Sequence, residues 1–315
     1  MPRLSVRALR DRLFGPPPGR PLGVRYFTHL GFDQLTREVR QRSRAINLER
    51  GDALCKVLGR YKMIVATADR GLAPHLLIDG YWEMWLTRFL AARVAPGMRV
   101  MDVGANLGYY TVLLADLVGR GGRVLAIEPN PAMMRLLRRN LLLNGLESRV
   151  EVIEAALGAE AEASGTLFVP HEDPKNATIV PQRPDAIGNG SLRSVRVTTL
   201  DALAAGPERL DLVKIDAEGA EEAILAGMEA TLRRDQPDLV LEFNAARSID
   251  PAALLSRLGD HYPALHVIEP DGRVPRVTRE ALLRERHGED RLLFAPHPGR
   301  PLRFLPSPRH GHAKA

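Results

Sequence analysis

The sequence predicts a doubly wound α/β domain built on a mostly parallel sheet, and three observations carry that prediction. From residue 99 onward, short apolar runs alternate with longer segments of helical period. The runs are close to continuously apolar, as strands covered by helices on both faces require. The first run, RVM at 99–101, leads into DVGANLGYYT at 102–111, a strand that ends in a glycine loop and opens a helix.

The first 50 or so residues contain the proline cluster PPPGRP at 16–21 and the charge-dense QRSRAINLERGD at 41–52, and read as an irregular or short-helical extension. Residues 1–44 hold ten arginines, no lysine and three acidic residues, a charge of +7 where the whole chain carries +6. Such an arm suits nucleic acid, anionic lipid or an acidic partner, and the plainer reading, which we prefer, is a solvated surface segment. YKMIVAT (61–67) and PHLLID (74–79) flank ADRGL as the arms of a β-hairpin, and WEMWLTRFLAARV continues as a helix that Pro96-Gly97 ends.

The alternation then runs strand 99–103, helix from 107, strand RVLAIE (123–128), helix PAMMRLLRRNLLLNG and a third strand VEVIEAAL (150–157). A polar, turn-rich stretch spans roughly 158–194 before VRVTTLDAL. LVKID (212–216), AEEAILAGMEATLRR, LVLEFN (239–244) and PAALLSRL resume the pattern, and LHVIE (265–269) and RLLFAP (291–296) are short strands.

No apolar run approaches the roughly 18 residues of a membrane span, and the N-terminus lacks the apolar stretch of a secretory signal, which leaves the cytoplasm as the default location. A single cysteine, Cys55, makes neither an internal disulfide nor a zinc pattern.

The glycine loop departs from the dinucleotide fingerprint twice. Counting from Gly104, Asn106 and Tyr109 stand where glycines belong, and no P-loop Lys-Ser/Thr pair is present. What remains is D-x-G-x-N-x-G, in which Gly104 makes the tight turn, Gly108 allows close backbone approach and helix packing, and Asn106 supplies a carboxamide. The second strand ends at Glu128, before Pro129, where a carboxylate accepts two hydrogen bonds from the free hydroxyls of a ribose. An adenosine without phosphates, carrying a methionine tail and a sulfonium, suits this loop and the acidic Asp102 beside it, and that cofactor is S-adenosylmethionine.

DVGANLGYYT, IEPNP at 127–131 and VKIDAEGAE at 213–221, in this order and spacing, resemble the FkbM-type family of S-adenosylmethionine-dependent methyltransferases. The resemblance covers roughly residues 79–245, including DGYWEMWLT and PKNAT. It implies a class I methyltransferase, Rossmann-like fold with a seven-stranded sheet, and methylation of a hydroxyl on a sugar or natural product. Ala217 stands where the family often has Val, and Asn244 where many relatives have His. On this reading the chain divides into a basic extension (1–55), a β-hairpin and aromatic helix leading into the core (56–98), the methyltransferase domain (99–297) and a tail (298–315).

The resemblance implies that Gly104, Asn106 and Gly108, with Tyr109, wrap the methionine part of the cofactor, and that Asp102 favours its ammonium. Glu128, with Pro129 and Asn130, would hold the ribose, and Ala155 and Ala156 would leave room for adenine. A plainer reading makes Asp102 a carboxylate that orients the loop and Glu128 an acid favoured by the helix N-terminus.

A neutral hydroxyl attacks poorly unless a base removes its proton. Asp216 and Glu218, at the mouth of the fourth strand, and Glu242, at the mouth of the fifth, are candidates to converge on the acceptor, with Asp216 also near the cofactor. Equally, Asp216 could cap the next helix while Glu218 and Glu221 favour its first turn. Clustered carboxylates also suit Mg²⁺, although no spacing here requires a metal. His171, before PKNAT, is a second candidate base. Trp82 and Trp85 lie in DGYWEMWL, where Tyr81 and Glu83 are the better candidates for the cleft rim and Trp85 for packing.

The expected activity is thus O-methylation of a glycan or small-molecule hydroxyl. Two rivals are a nucleic-acid methyltransferase, disfavoured because DAEG replaces the Asn/Asp-Pro-Pro-aromatic motif after the fourth strand, and a non-catalytic S-adenosylmethionine-binding protein, disfavoured by the acceptor-side carboxylates.

Overall fold

The computed structural model describes residues 16–17, 19–171, 176–180, 189–284 and 290–301. The first fifteen residues of the basic segment, Pro174-Lys175 of PKNAT and the tail beyond Pro301 lie outside the described residues.

The N-terminal segment is folded against the core. Helices α1 (Tyr26–His29) and α2 (Phe32–Arg42) precede an antiparallel sheet of β1 (Ala45–Asn47), β2 (Asp52–Val57) and β3 (Tyr61–Ala66). Leu22, Phe27, Leu35 and Val39 are fully buried. Arg88, itself buried, donates to the carbonyls of Phe27 (3.2 Å) and Leu30 (3.0 Å), and Arg42 donates to Arg20 (3.1 Å) and Pro17 (2.9 Å). The expectation of a solvated extension is corrected over residues 22–43, whose apolar residues lie in a loop and on two helices that only the fold brings onto the core, while Ala45–Asn47 stay exposed.

The hairpin expectation is corrected too. Strand β3 pairs with β2, from Asp52↔Ala66 to Val57↔Tyr61, and residues 74–79 are not a strand. Residues 74–78 belong to α3 (Ala73–Ile78), which Asp79 caps, with Pro74 in its first turn and Ala73 and Leu76 buried one turn apart. A short apolar run has no periodicity long enough to separate the two states.

The aromatic helix α4 (Met84–Arg93) leads to β4 (Arg99–Val103), α5 (Tyr109–Val118), β5 (Arg123–Ile127), α6 (Pro131–Asn144) and β6 (Val150–Ile153). Helix α6 starts where Asn130 accepts from the Ala132 N–H (3.0 Å) with Pro131 at the first position, and stops at Gly145 in the left-handed region, as its sequence signals demand. Its Asn140 and Asn144 pair with both backbone groups of Ile64 and of Lys62, so the outer edge of β3 is covered. Asn140 also donates to the Leu107 carbonyl (2.8 Å), which ties the glycine loop to this contact.

The third apolar run is split. Strand β6 stays in the main sheet, while β7 (Ala156–Leu157) joins β8 (Glu162–Pro170), β9 (Thr178–Val180) and β10 (Gly190–Thr198) in a separate sheet of order β7-β10-β8-β9. The stretch read as polar and turn-rich is therefore largely antiparallel strand. Its strands are mostly half-buried or exposed and carry only a small core of Ala156, Leu167, Val195 and Val197, too sparse to stand out in the sequence.

After α7 (Leu200–Leu203) come β11 (Leu212–Ile215), α8 (Glu221–Ala226) and α9 (Glu229–Asp235), which divide at Gly227-Met228 what reads as one helix. Strand β12 (Asp238–Phe243), α10 (Pro251–His261), β13 (Leu265–Ile268), β14 (Arg276–Val277), α11 (Arg279–Arg284) and β15 (Arg291–Ala295) follow. The main sheet has the order β14-β13-β15-β12-β11-β4-β5-β6, eight strands of which β14 is a two-residue edge beyond the expected seven. Strands β12, β11, β4, β5 and β6 are mutually parallel, and β15 is antiparallel to both neighbours. Two large apolar clusters cover its faces. The chain runs outward from β4 to β6 and then returns to β11 on the other side of β4, so strand order reverses between β4 and β11.

Candidate functional site

A cavity of about 340 Å³ opens at that reversal, along the C-terminal ends of β6, β5, β4, β11 and β12. Ala155 and Ala156 line its end beyond β6, Glu128 and Pro129 its wall beyond β5, and Gly104, Asn106 and Tyr109 the loop beyond β4. Asp216 and Glu218 follow β11, and Glu242 is the penultimate residue of β12. Ten of the sequence-predicted residues thus meet in one space.

The glycine loop is shaped by close contact. Gly104 has φ 74°, and a Cβ there would lie 1.8 Å from the Asp216 carbonyl oxygen. Gly108 (φ 95°) starts α5 against Leu137, whose Cδ1 would be 2.5 Å from an added Cβ. Gly108 does not line the cavity and acts in helix packing. Asn106 takes a left-handed backbone (φ 52°), unusual for a residue with a Cβ, and its side-chain oxygen accepts from the Leu107 N–H at 2.6 Å.

Glu128 accepts from two backbone amides, Asn106 N–H on one oxygen and Asn130 N–H on the other, each at 2.8 Å. A carboxylate offers about four lone-pair positions, so each oxygen keeps capacity for a hydroxyl donor. Burial raises the Glu128 pKa to about 7 although both amides oppose the shift. Asn130 itself is buried as the cap of α6 and reaches the site only through its N–H.

Asp102 differs from the expectation. It is fully buried and does not line the cavity: Thr111 Oγ1 donates to it at 2.7 Å, and the Lys214 ammonium faces it at 3.5 Å. It braces the loop from beneath, because its position inside β4 turns the side chain into the packed layer under α5. His171 is exposed at the end of β8 and is also absent from the lining.

Sequence reasoning missed Lys214, Arg247 and Asp290. Lys214 is 1% exposed, with its ammonium 3.3 Å from Asp216 and 5.2 Å from the centre of the Tyr110 ring. Burial alone would depress its pKa, but Asp216 and Asp102 outweigh that and hold it above the ordinary lysine value. A lysine inside the otherwise apolar strand LVKI was the signal available. Arg247 contacts Glu218 (3.1 Å), Glu242 (3.1 Å) and Asp290 (2.6 Å), and Asn244 donates to Asp290 (2.7 Å). Burial and the charges of Asp216, Glu218 and Asp290 push the Glu242 pKa up to about 9, against the opposing pull of Arg247. Glu221 accepts from the Ala217 and Gly219 N–H groups at 2.9 and 3.0 Å, so it, rather than Asp216, secures the start of α8.

Of the aromatic segment, Trp82 and Glu83 line the cavity while Trp85 packs on the core and Tyr81 hydrogen-bonds Arg40 at 2.9 Å. Among the described residues no group of three or more His, Cys, Asp or Glu side chains is placed to hold a metal ion.

Residues 102–262, half of the chain, match the model of the methyltransferase FkbM domain. The chain belongs to the FkbM methyltransferase family. It is 27% identical over 157 residues to methyltransferase sdnD of Sordaria araneosa, covering 41% of this chain and 60% of that protein. It is 48% identical over 58 residues to a protein-L-isoaspartate O-methyltransferase of Aeropyrum pernix, covering 18% and 22%. The chain therefore spans less than two thirds of the length of these curated relatives. Among solved structures it is similar to an FkbM methyltransferase from Methylobacillus flagellatus, with a TM-score of 0.41 and 18% identity, covering 64% of this chain and 44% of that one.

The cofactor of the family, S-adenosylmethionine, fits the residues present. Small side chains beyond β6 leave space for a flat ring, the remaining lone pairs of Glu128 match two ribose hydroxyls, and a cavity of about 340 Å³ is of ligand size. In that order of strand ends, small residues beyond β6 would face the adenine, Glu128 beyond β5 the ribose and the loop beyond β4 the methionine part, leaving the ends of β11 and β12 for the acceptor.

Proposed function

We propose that the chain is an S-adenosylmethionine-dependent O-methyltransferase whose acceptor is a hydroxyl of a glycan or secondary metabolite. Glu242 carries this reading: it lies beside Asp216 at the acceptor end of the cavity, half-buried, with its pKa raised to about 9. Bound S-adenosylmethionine supplies an electrophilic methyl group on a sulfonium. In its ionised form Glu242 would take the proton of the acceptor hydroxyl during methyl transfer, and its raised pKa makes that form a stronger base than an ordinary carboxylate. Arg247 holds Glu242 and Glu218 in place, and Lys214 fixes Asp216.

The character of the cavity disfavours an anionic acceptor. Its lining carries six carboxylates, Glu83, Glu128, Asp216, Glu218, Glu242 and Asp290, against the two cations Lys214 and Arg247. A phosphate backbone would be repelled there. The test is transfer of an isotopically labelled methyl group from S-adenosylmethionine to a panel of polyols, glycans, DNA and RNA. Label on hydroxyl acceptors is the expected result, and label on nucleic acid overturns it. Binding of S-adenosylhomocysteine without label on any acceptor class supports the non-catalytic rival.

A further inference from the structure

On the reading of the cavity as a cofactor site, the methionine part would lie over the loop beyond β4, where its ammonium calls for an anionic partner. Asp102 is sealed beneath that loop and committed to Thr111 and Lys214. Glu83 stands on the cavity wall beside this loop. Its carboxylate accepts a hydrogen bond from Tyr110 Oη at 2.7 Å, and Tyr110 is the second residue of the helix that the loop opens.

The backbone at Glu83 is itself unusual. Its φ is 34°, in the left-handed region that a residue with a Cβ rarely adopts, and the surroundings impose it. The Trp82 carbonyl accepts from Tyr109 Oη at 3.0 Å, and the Glu83 carbonyl accepts from the Thr87 N–H at 3.0 Å. Gly80, also left-handed, packs against Ser43, and its carbonyl accepts from the Leu58 N–H at 2.7 Å. This conformation sets the direction in which the Glu83 side chain leaves the backbone at the start of α4.

We propose that Glu83 is the counter-ion of the cofactor's α-ammonium, with Tyr110 as the residue that positions its carboxylate. This rests on the reading of the cavity as an S-adenosylmethionine site. Burial keeps the Tyr110 hydroxyl protonated, and the nearby Glu83 charge adds to that, so it remains a donor to the carboxylate. Lys214 does not compete for the role of counter-ion, since its ammonium has the same sign as the ligand's and is held by Asp216 and Asp102. The nearby charged groups are thus Asp102, Lys214 and Asp216; Asp216 pairs with Lys214 at 3.3 Å, whereas Glu83, whose charge also helps to keep Lys214 protonated, lines the cavity beside the loop with its carboxylate oriented by Tyr110.

The experiment is calorimetry with three probes: S-adenosylhomocysteine, its analogue lacking the α-amino group, and methylthioadenosine, which lacks the amino-acid part. In Glu83→Gln, a side chain of the same size, the affinity for S-adenosylhomocysteine should fall on the order of tenfold or more, as expected for a lost charge-assisted contact. Affinity for the other two probes should stay within about twofold, and Tyr110→Phe should give a smaller loss of the same selectivity. An equal loss for all three probes would mean that Glu83 only shapes the wall, and overturns the assignment. Unchanged affinity for S-adenosylhomocysteine in Glu83→Gln overturns it as well. Failure of the wild-type chain to bind any of the three overturns the cofactor reading itself, which separates the two outcomes.

Discussion

The Lys214 ammonium lies 3.3 Å from the Asp216 carboxylate, and both belong to the segment where β11 enters the cavity. Its other side faces Asp102 at 3.5 Å, so one buried cation joins the floor of the glycine loop to the carboxylates beyond β11. Lys214→Met should therefore leave Asp102 as an uncompensated buried charge and cost about 3–5 kcal/mol. Urea denaturation measures this, and the double variant Asp102→Asn/Lys214→Met should recover part of the loss. A Lys214→Met chain as stable as wild type would refute the bracing role.

Glu242 gives a pH dependence with a defined sign. Its folded pKa, about 9, is above the ordinary glutamate value of 4.5, so between those limits the native chain holds a proton that the unfolded chain has lost. The contribution of Glu242 to stability is fully present below about 4.5 and is lost as pH rises toward 9. Turnover should rise over the upper part of the same window as the base form appears. Glu242→Gln should flatten the stability slope and lower kcat by about 10²–10⁴. Asp290→Asn should move the turnover limb to lower pH by removing one of the neighbouring charges, and a limb that stays in place would rule out that coupling.

Glu128 accepts two backbone amides and is expected to take two ribose hydroxyls as well. Glu128→Ala should weaken S-adenosylhomocysteine binding at least tenfold, since charge-assisted hydrogen bonds contribute about 1.5–3 kcal/mol each. In the wild type, affinity should decline as pH falls below about 7, where the carboxylate takes up a proton. Calorimetry from pH 5.5 to 8.5 checks the sign, and a flat profile would contradict it.

The two loop glycines should respond unequally to alanine. Gly104→Ala places a Cβ 1.8 Å from the backbone oxygen of Asp216, which cannot move without displacing β11. Gly108→Ala meets the mobile end of Leu137, so its cost should stay near the left-handed penalty of about 1–2 kcal/mol. Thermal unfolding should therefore show the larger loss for Gly104→Ala, and the reverse order would refute this account of the loop.

The N-terminal segment should behave as core. Phe27 is fully buried and its carbonyl accepts from Arg88, so Phe27→Ala should cost about 3–5 kcal/mol, and removal of residues 1–44 should lower the thermal midpoint markedly. A shortened chain with an unchanged midpoint would restore the reading of a solvated arm.

The sequence by itself determined the main sheet and most of one site. Strands buried on both faces must be apolar along their whole length, and a tight strand-to-helix turn needs Gly104 and Gly108, so DVGANLGYYT, IEPNP and VKIDAEGAE were legible as local signals. The tertiary structure decided what depended on partners distant in sequence. Residues 74–79 are too short for periodicity to separate helix from strand, and the antiparallel β7–β10 sheet has too few buried residues to announce itself. The same holds for charge. Asp102 was recognisable as an acid beside the loop, but that it faces Lys214 beneath the floor, while Glu83 faces the cavity, follows from the pairing of two parallel strands that brings Lys214 into register beside Asp102 across 111 intervening residues. Ion pairs and pKa shifts depend on distances of a few ångströms, and those are set only when the strands are in place.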